Sequence, residues 1–107
     1  MRDHDNMPVL DWRDDNAPIK AKAQILRQEP VIIQMPDDFD VSVDGDQFGC
    51  KRQQDTDILY DCEGGNILQY LATQNRLPAL NIIAETCIKS SSQVDIDSNH
   101  RRIIVHD

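Results

Sequence analysis

The chain has 107 residues and a formal net charge of −8, from 19 acidic and 11 basic side chains. This length predicts one domain with a modest hydrophobic core. The negative charge argues against direct binding to nucleic-acid phosphates or anionic membranes, which requires clustered Lys and Arg. No apolar run is long enough to span a bilayer.

Most of the negative charge comes from aspartate, with sixteen Asp against three Glu. Asp favours turns, helix caps and strand ends over helix interiors. We therefore expect the charge to lie on loops and sheet edges, where a basic protein surface would be the natural partner.

The three cysteines, Cys50, Cys62 and Cys87, are an odd number and include no C-x-x-C pair. The chain also opens without a positively charged, apolar leader. These features predict a reduced, cytoplasmic protein with three free thiols that folds without metal or cofactor.

Residues 1–15 are polar and acidic apart from a few apolar side chains, and they show no sustained period. We expect a mobile N-terminal arm, followed by a single domain over residues 16–107. One hypothesis is that the arm binds a partner or a second copy of the chain through Leu10 and Trp12. An arm packed on its own domain, or left disordered, is the favoured alternative.

The next segment predicts a helix from about Ala17 to Gln28, with Asn16 as its N-cap and Pro30 as its end. Its apolar residues recur at i, i+4 and i+7, and the expected buried stripe is Ile19, Ala23 and Leu26. The run Val31–Met35 follows as a strand that is apolar enough to be covered on both faces.

Residues 37–62 alternate between apolar and polar side chains in three short runs, which predicts an antiparallel β-meander. Asp44-Gly45 is the strongest hairpin signal in the chain. The expected inward side chains are Phe39, Val41, Val43, Phe48, Cys50, Ile58, Tyr60 and Cys62. The expected outward side chains are Asp40, Ser42, Asp44, Lys51, Asp57 and Asp61.

A second helix is predicted from Asn66, as its cap, to Asn75, with a buried stripe of Ile67, Leu68, Leu71 and Ala72. Residues 78–90 fit both a helical stripe and a strand alternation; we favour the helix because a strand leaves Ile83 and Cys87 on the polar face. A closing hairpin follows over residues 94–106. The fold class expected is α+β: an antiparallel meander packed against two or three helices, with a C-terminal β-hairpin.

Residues 40–51 have acidic side chains at alternate positions, as a calcium-binding loop does. The pattern fails at its twelfth position, where Lys51 replaces the bidentate Glu, and neither flank predicts a helix. Gly64-Gly65 lacks the wider spacing of a phosphate-binding loop, and the neighbouring Asp61 and Glu63 would repel an anion. A turn and helix start explain the two glycines better.

The residue pattern gives little support for a catalytic site. All three cysteines fall on predicted apolar faces, where a cysteine most often packs as a small hydrophobic side chain. His100 and His106 could bind zinc together with Cys62 or Cys87, but no ligand pair has the spacing of a zinc site. We therefore expect no enzymatic activity.

The acidic side chains of the meander are the strongest functional signal, because a rigid sheet would present them on one surface. The leading hypothesis is a small non-catalytic inhibitor, immunity-type protein or regulator. It would engage a basic protein, such as a toxin or a nucleic-acid-binding protein, through Asp40, Asp44, Asp57 and Asp61. Ordinary solvation of an exposed face explains the same residues. The alternative function is a structural or accessory subunit, for example of a homodimer, that packs through the N-terminal arm and apolar surface.

Overall fold

The computed structural model describes residues 7–52, Thr56 and residues 58–106. Six strands of this part of the chain form a mixed sheet, beside three α-helices and one 3-10 helix. The strands are β1 (Val9–Asp11), β2 (Val31–Gln34), β3 (Lys51–Arg52), β4 (Leu59–Glu63), β5 (Gln93–Asp97) and β6 (Arg102–His106). The α-helices are α1 (Ala17–Leu26), α2 (Gly64–Gln74) and α3 (Leu80–Ser90), and the 3-10 helix is Gly45–Phe48. The strand order is β1-β2-β6-β5-β4-β3, and only the β1-β2 pair is parallel.

The three helices cover one face of the sheet, which we call the inner face. Val94 and Ile96 of β5 belong to the core on this face, and Asp95 between them points to the opposite, outer face. The helices contribute fully buried side chains to the same core, including Ala21, Ile67, Leu68, Leu71, Leu80 and Ile83. The predicted α+β class and the C-terminal hairpin of β5 and β6 are confirmed.

Helix α1 occupies the predicted position, but the predicted buried stripe is wrong. Ile19 and Leu26 are exposed, and Ala23 is only half-buried. The buried side chains are Ala17, Pro18, Ala21 and Ile25. Small side chains at 17 and 21 let the helix approach the rest of the core closely, so the larger apolar residues are left facing outward.

The first predicted strand of the meander is also wrong, because residues 36–44 form no strand. Phe39 is buried and Val41 is half-buried, as their alternation predicted. However, the backbone here bonds to side chains of α2 instead of to another strand. The alternation therefore identified the inward residues but not their hydrogen-bonding partners.

Asp44-Gly45 does not form the predicted hairpin turn. The Asp44 carboxylate accepts a hydrogen bond from the Asp46 amide and caps the 3-10 helix. A Cβ added at Gly45 would lie 2.9 Å from Leu59 Cδ2, so this glycine serves close packing rather than a positive φ. Gly49, with φ of 67°, ends the 3-10 helix.

Strand β4 was expected to turn Ile58, Tyr60 and Cys62 inward, but its inward residues are Leu59 and Cys62. The cause is a β-bulge: Leu59 pairs with Ile96 and Cys62 with Val94, so two residues of β4 face the single residue Asp95. Ile58 and Tyr60 are only half-buried, and so is Phe48 of the predicted core.

Helices α2 and α3 confirm the corresponding predictions, including the helical choice for residues 78–90. Asn66 is not the N-cap of α2, because the helix already begins at Gly64. The side-chain amide of Asn66 instead donates a hydrogen bond to Glu63 Oε2. Gly64 allows this earlier start, since an added Cβ would lie 2.7 Å from the Ser92 carbonyl oxygen.

None of the helices in the described ranges has the length and apolarity needed to cross a membrane.

Part of the predicted N-terminal arm belongs to the sheet. Residues 9–11 form β1 and pair with β2, and the Trp12 amide donates to the Gln34 carbonyl at 2.9 Å. Residues 9–12 are therefore packed on their own domain, as the favoured alternative expected, because an apolar run too short to show a period still finds a parallel neighbour in β2. The rest of the predicted arm before residue 7 lies outside the described residues.

The expectation of three free thiols is wrong. Cys50 and Cys62 form a disulfide, and only Cys87 is free. Pairing of β3 with β4 brings Cys50 beside Cys62, although twelve positions separate them in sequence. An odd cysteine count cannot reveal such a pair, because it depends on strand pairing between the two residues.

Candidate functional site

Five aspartates are concentrated in ten residues between β2 and β3. We call residues 37–46 the acidic loop; its exposed carboxylates belong to Asp37, Asp38, Asp40, Asp44 and Asp46. Within the described part of the chain, none of them forms an ion pair with a basic side chain. Their charge is therefore directed to solvent or to a partner.

The acidic loop is anchored to the C-terminal end of α2. The Asn75 side chain accepts a hydrogen bond from the Asp40 amide and donates one to the Asp40 carbonyl at 2.9 Å. The Gln74 side chain donates to the carbonyls of Asp40 and Ser42, at 3.2 and 3.0 Å. Phe39, buried in the core, fixes the start of the loop. These contacts tie residues 39–42 of the loop to the core and to the end of α2, although the loop contains no strand.

Local hydrogen bonds also favour the charged form of one loop carboxylate. The Ser42 amide donates to Asp40 Oδ1 at 2.9 Å, and this bond, with a second from the Ser42 side chain, lowers the pKa of Asp40 below its ordinary value. Asp40 therefore keeps its negative charge well into mildly acidic solution.

The four aspartates predicted to share a sheet face do not do so. Asp40 and Asp44 lie in the acidic loop, whereas Asp61 lies on the outer face of β4. Asp57 lies outside the described residues. The prediction of a single acidic sheet face is therefore wrong, because the segment predicted as the first strand of the meander is a loop.

The apolar candidates, Leu10 and Trp12, are partly occupied within the molecule. Both are half-buried and pack against the hydrophobic core. Leu10 pairs with Ile33 of β2, whose side chain points to the inner face. These residues keep some exposed area, but much of their apolar surface serves the fold.

A cluster of two carboxylates and one imidazole lies on the outer face of the sheet. His106 Nε2 is 2.9 Å from Asp95 Oδ1 and 3.5 Å from Asp61 Oδ1. The Asp61 amide donates to the same Asp95 oxygen at 2.9 Å. We call Asp61, Asp95 and His106 the outer-face cluster.

The bulge in β4 positions this cluster. Asp61 adopts the left-handed region, with φ of 54°, a conformation that Asp tolerates better than most residues. The extra residue places both Tyr60 and Asp61 opposite Asp95. His106 is two residues beyond Ile104, the direct partner of Asp95, so the imidazole shares the outer face with the carboxylate.

Sequence reasoning missed this cluster, since it considered His106 only with cysteines. Cys62 is bonded to Cys50, and Cys87 is buried with the pKa of its thiol raised to about 12 by desolvation, so neither suits the cysteine-containing zinc set that the spacing already argued against. No sequence signal pointed to it, because Asp95 alternates with Val94 and Ile96 as a solvent-facing residue of an amphipathic strand does.

The other patterns have structural explanations. Asp40 and Asp44 each accept a hydrogen bond from a backbone amide through a carboxylate oxygen. Among the described residues, the acidic loop brings no three potential metal ligands together. The backbone of Gly64 packs against Ser92 and Val94, which explains this glycine without a phosphate.

The chain was compared with protein-family models, with curated proteins and with solved structures, and no match was found in any of the three.

Proposed function

We propose that this protein is a non-catalytic binding module, of the inhibitor, immunity or regulatory kind, that engages a basic protein surface through the acidic loop. The observation that carries the proposal is a run of five exposed aspartates that form no ion pair with any described residue, in a loop tied at Asp40 and Ser42 to the end of α2. Because the loop is already anchored, it loses little conformational entropy on binding, so the entropic penalty that opposes the attraction of its charges is small.

The charge of the whole chain supports the same class of partner. With a net charge of −8, the protein repels nucleic acid and anionic lipid and attracts basic proteins over a distance of about a Debye length. The Cys50–Cys62 disulfide favours an oxidising compartment over the cytoplasm expected from the cysteine count. The partner would then be a basic protein met outside the reducing cytosol.

Neutralising the acidic loop tests the proposal. The partner is first captured from native host extract at low salt, eluted with a salt step and identified by mass. Asp40→Asn with Asp44→Asn should then slow association several-fold at low salt, with a smaller effect at high salt, because loop charges steer the encounter. Asn keeps the oxygen that accepts each backbone hydrogen bond, so the loop should stay folded.

Asp15→Asn with Glu85→Gln is the matched control, because it removes the same charge from exposed sites outside the loop. Association rates are measured by surface plasmon resonance across a salt series. Equal rates for the loop variant and the control at every ionic strength would contradict a role for the acidic loop.

A second function, a subunit of a homo-oligomer, is favoured by the exposed stripe on α1. Ile19 is 67% exposed and Leu26 is 59% exposed, although both are large and apolar. If this stripe forms an interface, sedimentation should show concentration-dependent association with little salt dependence, which Ile19→Lys with Leu26→Lys abolishes. Ile82→Lys, at an exposed position on α3, is the control. A parent that stays monomeric at high concentration would eliminate this function.

A further inference from the structure

We propose that the outer-face cluster is a binding site for a divalent transition-metal ion, with zinc as the ion that fits its donors best. Asp61, Asp95 and His106 would each supply one ligand atom. The inference does not depend on the acidic loop or on the function proposed for it.

The spacing of the donor atoms suits a single ion. One atom from each of the three side chains lies within 4.8 Å of the others, and the two measured imidazole–carboxylate distances are 2.9 and 3.5 Å. Zinc binds nitrogen and oxygen at about 2.0–2.2 Å, so two ligands of one tetrahedral ion are about 3.3 Å apart. Only small side-chain movements would bring all three atoms to such an ion.

The charge of the cluster also points to a cation. Asp95 is only 9% exposed, and within the described residues no Lys or Arg forms an ion pair with it. Its Oδ1 accepts hydrogen bonds from Asp61 and His106, whereas no described residue donates to its Oδ2. For a nearly buried carboxylate whose Oδ2 has no donor among the described residues, a divalent ion supplies fuller charge compensation than an imidazole does.

Two members of the cluster are accessible to solvent. Lys51 Nζ lies 3.4 Å from Asp61 Oδ2, so it partly neutralises that oxygen and leaves Oδ1 directed at the imidazole. The side chains of Asp61 and His106 are 34% and 24% exposed, so water can reach the cluster and complete the coordination. Three protein ligands plus one water is the arrangement of zinc sites that keep an exchangeable position.

Binding must displace the proton that His106 Nε2 shares with Asp95. Zinc takes the place of this proton at Nε2: a neutral imidazole then carries its proton on Nδ1, whereas an imidazolium releases one proton to solvent. One imidazole nitrogen and two carboxylate oxygens are donors that suit zinc. The same donors also suit manganese, and they suit a soft ion such as copper(I) less well.

The test is a calorimetric titration of zinc chloride into the full chain after dialysis against a chelator. We expect one saturable site per chain. His106→Gln and Asp61→Asn should each weaken zinc binding about tenfold or more, since even outer-shell partners of a metal contribute tenfold effects. His100→Gln is the matched control, because His100 pairs with a single carboxylate, Asp97, at 2.9 Å; it should retain the parent affinity.

A spectroscopic titration with cobalt(II) chloride provides a second readout. Visible absorption bands of low-symmetry four- or five-coordinate cobalt should appear with the parent and with His100→Gln, and disappear with Asp61→Asn. Asp61 is partly exposed, so this variant should keep the parent circular dichroism. Zinc binding by the parent that is absent, or that is unchanged in both cluster variants, would overturn the proposal.

Discussion

Replacing Leu71 by Ala is expected to lower the free energy of unfolding by about 2–5 kcal/mol. The Leu71 side chain is completely buried at the centre of α2 and belongs to the core that joins the helices to the sheet. Its truncation removes buried apolar surface and leaves a cavity that the surrounding side chains fill only in part. For a domain of this size, the melting temperature should fall by about 4–8 °C for each kcal/mol lost.

Leu26→Ala is the matched control, since it makes the same chemical change at a helical position that is largely exposed. We expect it to change stability by about 0.5 kcal/mol or less. Chemical denaturation of both variants measures the difference. Equal losses for the two variants would contradict the observed orientation of α1, in which Leu26 faces outward.

Breaking the Cys50–Cys62 disulfide is expected to cost about 3 kcal/mol of stability, since the bond closes a short loop that an unfolded chain would otherwise leave free. The variant Cys50→Ala with Cys62→Ala should show this loss without reductant. The parent should show it only after reduction. Cys87 is unpaired and buried, so reductant should leave the double variant unchanged.

Thiol counting gives an independent check of the same bond. Protein denatured without reductant should accept one alkyl group, at Cys87, and reduced protein should accept three. Under native conditions the remaining thiol should react slowly, because burial raises the pKa of Cys87 to about 12 and leaves little thiolate. Three alkyl groups on unreduced protein would show that the disulfide is absent.

The candidate site illustrates how far residue patterns alone reach. The abundance of aspartate predicted charge on loops and sheet edges, but Asp40 and Asp44 were assigned to the outward face of a strand and instead lie exposed in a loop. It did not predict that Asn75 and Gln74, more than thirty residues away, would anchor that loop. Side-chain to backbone bonds of this kind have no periodic signature, so the loop appeared to be a strand.

The outer-face cluster could not be predicted from the sequence, for a similar reason. Asp61, Asp95 and His106 come from three strands, and their approach depends on the pairing of β4, β5 and β6. The bulge in β4 then decides which residues of that strand turn outward. An insertion of one residue into a strand reverses every later side chain, and alternation in a single sequence does not reveal where it occurs.

The sequence by itself determined the α+β class, β2, the closing hairpin, the stripe of α2 and the helical nature of α3, because these depend on the local periodicity of apolar residues. The tertiary structure alone decided which face of α1 is buried, which cysteines pair, and that the acidic residues lie in an anchored loop. Each of these depends on contacts between distant segments. In α1 and at Gly45, the space available to neighbouring side chains outweighed the local hydrophobic or turn signal.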